Sequence, residues 1–513
     1  MFTKAQSQFD MIGDQLGAAQ CLQSLGDICK MQGRYSEGSE MFTKAQSQFE
    51  LIGNQLGATQ CLQRLGDIHK MQDRYSEASE MLTGAQSQFE LIGDQLGAAQ
   101  CLRSLGDIHR MQDRYSEASE MLTKAQSQFE LIGDQLGAAQ CLQSLGDIHE
   151  MQGRYSEASK MLTKAQSQFE LTGSQLGAAQ CLQSLGDIHR MQDKYSEASE
   201  MLTKAQFQFE LIGSQLGAVQ CLQSLGDIQR MQGRYSEASE MLTKAQSHFE
   251  MIGSQLGAVQ CLQSLGDIHK TQDRYSEASE MLTKAQSQFE LIGDQLGAVQ
   301  CLQSLGDIHR MQGRYSEASE MLTKAQSQFE LIGYWLGAAQ CLQSLGITNQ
   351  MQGRYSDAVE MFTKAKSQFG VIGSSLGATQ CLRSVGRIFQ LQGRYNEAIE
   401  LLTKAQAKFE LIGDQQEAAD SLFFLAQACR AQALYKQAKI TLDNALAKFE
   451  KVGNRAYDVG WCYYEYGLVH KDAGENEEAK RKFEEAQAVF AQHGELGEDV
   501  ERCSRALAEL NEP

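Results

Sequence analysis

Gly133–Gln152, GDQLGAAQCLQSLGDIHEMQ, runs directly into Gly153–Glu170, GRYSEASKMLTKAQSQFE, and the chain repeats this phrase from its first residue almost to its last. SLGD stands at Ser24–Asp27, Ser104–Asp107, Ser144–Asp147 and Ser304–Asp307; TKAQ stands at Thr3–Gln6, Thr123–Gln126 and Thr323–Gln326. Every interval is a multiple of 40 residues. A fixed period of this length marks a solenoid, in which each unit buries its apolar face only by stacking on its neighbours.

The unit that starts at Asp94 shows the internal grammar. Gly93 then Asp94 reads as the glycine that ends one helix and the N-cap of the next. The same position holds Asp14, Asn54, Asp134, Ser174, Ser214, Ser254, Asp294, Ser374, Asp414 and Asn454, all with short side chains that accept a bond from free amides. Tyr334 is the exception. Leu96, Ala99, Leu102, Leu105 and Ile108 then form an apolar stripe on a first helix, A. Asp113-Arg114 interrupts it, with Gly153 and Gly233 at the same place elsewhere. Tyr115, Ala118, Leu122, Ala125, Phe129 and Ile132 make a second stripe on a longer helix B, which Gly133 closes. The unit is predicted to be an antiparallel helical hairpin.

Leu102, Leu105-Gly106, His109, Asp113, Tyr115, Ala118, Leu122 and Ala125 together resemble the signature of the tetratricopeptide repeat. Gly106, Ala118 and Ala125 have a physical reason, because two helices approach closely only where side chains are small. Two features depart from the family's commonest form. The proline after helix B is missing, since the only proline is Pro513, and the period is 40 rather than about 34. Both are similar to the long-repeat subclass of Pins/LGN-type and kinesin light chain scaffolds. The resemblance implies an all-α fold, an α-solenoid wound as a right-handed superhelix of about twelve antiparallel hairpins. It also implies a non-enzymatic, protein-binding role.

The expected organisation is the end of a truncated helix B over residues 1–13, twelve tandem units over 14–494, the last with one extra residue near Arg455–Asp458, and a capping helix over 495–513. Met1 occupies the place of the internal methionines Met41, Met81, Met121 and Met161, so the chain opens in mid-helix. Either translation starts at a once-internal codon or the chain is part of a larger protein; the second is favoured. Highly similar tandem units are similar to the C-terminal arms of fungal NLR-type proteins, which implies an alternative role as the sensing arm of an NTPase switch. Phe2, Phe9 and Ile12 on the uncapped opening helix predict self-association through that end.

Composition removes several other classes of function. There is no 18-residue apolar stretch and no cleavable hydrophobic segment, so neither membrane nor secretion is indicated. Ten of the 14 cysteines form the series Cys21, Cys61, Cys101 and onward to Cys381. On helices packed about 10 Å apart they exceed disulfide reach and read as core thiols of a cytoplasmic protein. His69, His109, His149, His189, His269 and His309 make a similar ladder and read as imidazoles packed between helices rather than metal ligands. GxxxxGK[ST], GxGxxG, HExxH and GxSxG are all missing, which leaves no catalytic or cofactor site to expect. A net charge of −19 opposes nucleic-acid binding, which depends on neutralising phosphates.

The polar stripe of helix A remains. Gln100, Arg103, Asp107 and Arg110 share one face opposite the apolar stripe. In the resembling family this face lines the concave groove that takes peptides. Here it reads Gln140, Gln143, Asp147 and Glu150 in the fourth unit, and the aspartate recurs as Asp187, Asp227, Asp267 and Asp307. Later units change it: Ile347 replaces the aspartate, then Arg383 and Arg387 appear, then Phe423. Carboxylates only accept hydrogen bonds, so a basic or donor-rich protein or peptide partner is expected. Asp147 and Glu150, with no base in their own stripe, should be its most negative point. Elsewhere aspartate and base, one turn apart, could simply neutralise each other. Tyr334 and Trp335, in a turn, are candidate interface aromatics.

Overall fold

A computed structural model describes residues 8–9, 11–112, 114–452, 456–492 and 497–511; Met1, Phe2, Thr3–Gln6, Asp113, Asn454, Arg455, Gly494 and Pro513 of the reading above lie outside them. Among the described residues there are 25 helices and no strand. They form two compact units, Met1–Cys261 and Leu262–Pro513. Within each unit helices alternate as A and B, and each packs on the helix before and the helix after it in the chain.

The local chemistry of each hairpin sets its boundaries. Helix A of the third hairpin, Gln95–Met111, begins where Asp94 Oδ1 accepts from Gly97 N at 3.1 Å. Ser174 and Ser214 make no such bond, and Ser374 reaches its amide only at 3.4 Å, because a serine hydroxyl sits one atom closer to its own backbone. Helix B, Tyr115–Ile132, ends at Gly133, left-handed at φ 78°. The A-to-B turn also needs a left-handed residue. Gly153 supplies it at φ 70°, whereas Asp73, Asp193 and Asp273 adopt φ 57–58°. Those aspartates are held by the hydroxyls of Tyr75, Tyr195 and Tyr275, which donate to them at 2.6, 2.7 and 2.5 Å. Helix B is no longer than helix A by more than one residue, 17 or 18 against 17; the C-terminal glycine stops it there.

Most cores are shared by three consecutive helices, and one, from Ala398 to Val469, by four. Ala99 and Leu102, then Ala118, Leu122, Ala125 and Phe129, then Ala138, Cys141, Leu145 and Ile148 form one buried cluster. Two glycines set the spacing in every described helix A except Gln415–Ala431, where Glu417 and Ala426 stand at those positions. A Cβ on Gly146 would stand 2.7 Å from Leu162 of the helix that follows, and one on Gly137 would stand 2.5 Å from Phe129 of the helix before. The expected stripes are trimmed at their ends: Leu96 is exposed and Tyr115 and Ile132 are half-buried. All the cysteines are reduced and buried, and burial pushes thiols such as Cys101 and Cys141 up to about 12. At the C-terminal end Val500, Cys503, Ala506, Leu507 and Leu510 of Gly497–Asn511 lie against Trp461, Phe483 and Phe490.

Candidate functional site

The polar face of the A helices is a ladder whose rungs are tied to one another. In the first compact unit Gln63 Nε2 donates to Gln100 Oε1 at 3.1 Å, and Gln143 to Gln180 and Gln223 to Gln260 at 3.4 Å. Ser104 donates to Asp67 at 3.2 Å, Ser144 to Asp107 at 3.1 Å and Ser224 to Asp187 at 3.2 Å. Every one of these pairs is 37 residues apart: one period less one helical turn. A neighbouring A helix therefore meets its predecessor about one turn out of phase.

Most carboxylates of the ladder are also paired with bases. Lys30 approaches Asp67 at 3.1 Å and Lys70 approaches Asp107 at 3.9 Å, both across hairpins. Arg190 with Asp187 (3.2 Å) and Arg230 with Asp227 (3.4 Å) are pairs within one helix. In the second compact unit Lys270 holds Asp267 at 2.7 Å, Ser304 adds a bond at 3.0 Å, and Arg310 holds Asp307 at 3.2 Å. The neutralisation weighed from spacing thus operates in these rungs.

The fourth hairpin differs. Among the described residues no hydrogen bond or ion pair engages the side chain of Asp147 or Glu150, and Arg110 nearby has a buried Nε without a partner. Burial raises the carboxyl of Asp147 to about 6; Arg110 opposes that rise and Asp107 adds to it. Burial raises Glu150 to about 7, reinforced by Asp147 and Asp187 and opposed by Arg190. The rung expected to be the most negative point of this face thus holds carboxyls whose ionisation is opposed by burial. Half-buried carboxyls crowded by other carboxylates keep part of their protons near neutrality.

The later rungs in the second compact unit change character. Arg383 is bound to Glu417 and, at 3.4 Å, to Asp420 of the next A helix. Arg387 lies 4.4 Å above the Phe424 ring and faces outward. Phe423 and Phe424 are half-buried against the core and meet edge-on at 5.7 Å. Gln140 is half-buried on the ladder face. Tyr334 packs on Phe329 at 5.5 Å, while Trp335 opens its helix and is 53% exposed. His69, His109, His149, His189, His269 and His309 have buried Nδ1 atoms without partners, and burial lowers the imidazoles of His109 and His149 below their ordinary value.

Sequence spacing placed the glutamines on this face but missed the serines that close the ladder and the bonds between its rungs. The signal for them was present, since residues at the period minus three are those brought opposite. It also missed a row of apolar residues at the ends of the B helices, Leu131 and its equivalents, and Phe207, which replaces the serine of neighbouring hairpins and is 61% exposed.

The family model described as Tetratricopeptide repeat matches residues 58–131, 140–206, 218–291, 256–330, 299–368 and 375–451. No curated protein matches the sequence. Among solved structures, a Signal Transduction ATPase with Numerous Domains (STAND) protein with a tetratricopeptide repeat sensor, from Pyrococcus horikoshii, aligns with a TM-score of 0.51 at 13% identity. The alignment covers 70% of this chain and 54% of that one, so the chain spans about half the length of that protein. BtubC (BKLC) from P. vanneervenii aligns with a TM-score of 0.38 at 16% identity, over 43% of this chain and 91% of its own. No helix among the described residues is long and apolar enough to cross a membrane.

Proposed function

Because this chain belongs to the tetratricopeptide repeat family, we propose that it is a non-enzymatic protein-interaction scaffold whose helix-A ladder takes an extended, basic peptide segment of a cytoplasmic partner. The observation that carries this reading is the fourth rung. The other aspartates already have serine or base partners, whereas Asp147 and Glu150 have none and are half-buried on the shared face. A lysine or arginine seated there would gain two carboxylates and release the proton they hold. Neighbouring glutamines, linked at 3.1–3.4 Å, can exchange those weak mutual bonds for bonds to a peptide backbone. Exposed ion pairs are worth only about 0.2–1 kcal/mol each, so affinity would be spread over several rungs.

Fluorescence anisotropy with a labelled Lys/Arg-rich peptide and an acidic control tests this. The basic peptide should bind more tightly at pH 8 than at pH 5.5, and less tightly at high salt. Asp147→Asn with Glu150→Gln should weaken it about three- to tenfold and abolish the pH effect. Equal binding of both peptides, or full binding by the double variant, would refute the seat. A second reading, the ligand-sensing arm of an NTPase switch, is supported by the fold likeness to the STAND protein's repeat sensor. It would be favoured by a P-loop domain in the same reading frame.

A further inference from the structure

The ends of the B helices form a second periodic surface, at the edge of the hairpins rather than on the ladder. In the first compact unit it presents Leu51, Leu91, Leu131, Leu171, Leu211 and Met251, one per hairpin and each between 69 and 87% exposed. Single exposed leucines are ordinary, but a row at fixed period is an apolar surface. Each sits at the last turn of helix B, directly before the glycine turn, and carries none of the core contacts of its neighbour Phe129 type.

Between successive knobs lies a notch. One of about 360 Å³ separates the ends of the B helices of the first and second hairpins, Tyr35–Leu51 and Tyr75–Ile92, where Gly53, Ala58 and Leu91 line it. The next, about 340 Å³, has Gly93, Ala98 and Leu131 at the same places. A third, about 270 Å³, is lined by Gly173, Ala178, Phe207 and Leu211. The glycine that ends helix B and the alanine near the start of helix A leave the space, so knob and notch alternate with one period.

We infer that this edge is a self-association surface that takes the same edge of a second copy, antiparallel, with the knobs of each seated in the notches of the other. The equal period selects the occupant. A two-fold pairing needs a self-complementary patch, and a knob row matches a notch row only on a partner with the same repeat. The area also suffices. Each knob offers on the order of 60–120 Å² of apolar surface. Six knobs, with the half-exposed Leu96, Leu136 and Leu176 beside them, approach the roughly 800 Å² per partner of a standard interface. Phe207, rising from the third notch, is the anchor, since aromatic residues dominate such patches. Glu90, Glu130 and Glu170 flank the row, and the chain carries −19 overall, so like-charge repulsion opposes the pairing until salt screens it.

Sedimentation velocity of the full chain, over micromolar to near-millimolar concentration and at low and high sodium chloride, tests the proposal. The expected result is a monomer–dimer equilibrium that tightens with salt, opposite in sign to the salt response of peptide binding on the ladder. Phe207→Ser, which restores the residue of neighbouring hairpins, should raise the dimer Kd about tenfold. Leu91→Glu, Leu131→Glu and Leu171→Glu together should leave only monomer, with helicity unchanged by circular dichroism. A chain that stays monomeric throughout overturns the inference. So does a dimer that persists in the triple variant, which would place the contact elsewhere, or one that dissociates as salt rises. Peptide anisotropy on the triple variant separates this surface from the ladder: intact binding there leaves the proposed function standing whatever the sedimentation shows.

Discussion

Glu150 shows how one substitution in a nearly uniform array alters local chemistry. Its equivalents are Arg110, Arg190 and Arg230, each beside an aspartate; Glu150 instead adds a second carboxyl beside Asp147. Burial and like charge hold its folded pKa at about 7, above its ordinary value near 4.5, and hold Asp147 at about 6. Between those limits the folded chain keeps protons that the unfolded chain has released. The stability this contributes is full in acid and is lost as pH rises through about 6 to 7. Glu150→Gln removes the titration. The variant should match the wild type near pH 5 and exceed it by about 1–2 kcal/mol at pH 8, after allowance for solvent screening. Urea melts at the two pH values measure this, and an equal gain at both would mean that the carboxyl is not proton-linked. Gly186 is a different kind of residue, one whose lack of a side chain does the work. A Cβ there would lie 2.7 Å from Leu202, so Gly186→Val should force the hairpin apart at a cost of about 1–3 kcal/mol, read as a lower urea midpoint.

At the scale of the helix, the array contains its own controls. Asp94, Asp134 and Asp294 cap their A helices through bonds of 3.0–3.1 Å, while Ser174 at the same position makes none. Ser174→Asp should therefore stabilise by about 0.5–1 kcal/mol; no change in thermal midpoint would show that the cap is already satisfied by water. Ala433 has φ 56° in a turn where neighbouring hairpins use glycine, or an aspartate held by its tyrosine. Alanine has no oxygen to recruit, so Ala433→Gly should gain about 0.5–1 kcal/mol in urea melts, the left-handed penalty less the entropy glycine adds to the unfolded chain. The helices, caps and turn glycines were legible in the sequence because each depends on neighbours within four or five residues. The closing of the ladder was not read, because Ser144 and Asp107 are 37 residues apart and meet only once the stagger of adjacent A helices is known. The knob row escaped for another reason. Leu131 and Ile132 are adjacent apolar residues before Gly133, and only the packing of helix B decides that Leu131 faces out while Ile132 is half-buried.

Over the whole molecule the same stacking rule decides how stability accumulates. Most cores join one A helix, its B helix and the next A helix, as in the cluster from Ala99 to Ile148, and contacts beyond second neighbours in the helix order play almost no part. Each added hairpin thus brings one intrinsic folding cost and one interface of nearly constant composition. Phe129 on Gly137 and Leu162 on Gly146 recur along the array, for example as Phe169 on Gly177 and Leu202 on Gly186. A sum of unit and nearest-neighbour terms describes such an array. A lone hairpin buries only part of its apolar surface and should not fold, because the ordering entropy exceeds what one interface returns. Arrays of four, six and eight hairpins cut at the glycine turns should show urea midpoints that rise with number and then flatten, as the end units become a smaller share. The unfolding slope should grow in proportion to length while the array melts as one. Gly186→Val then becomes a probe of coupling: in a four-hairpin array it should lower the midpoint far more than in an eight-hairpin one, where hairpins on either side of the break can fold apart from it. A midpoint independent of length, or an equal penalty in both arrays, would mean that stability resides in contacts beyond the neighbouring hairpin.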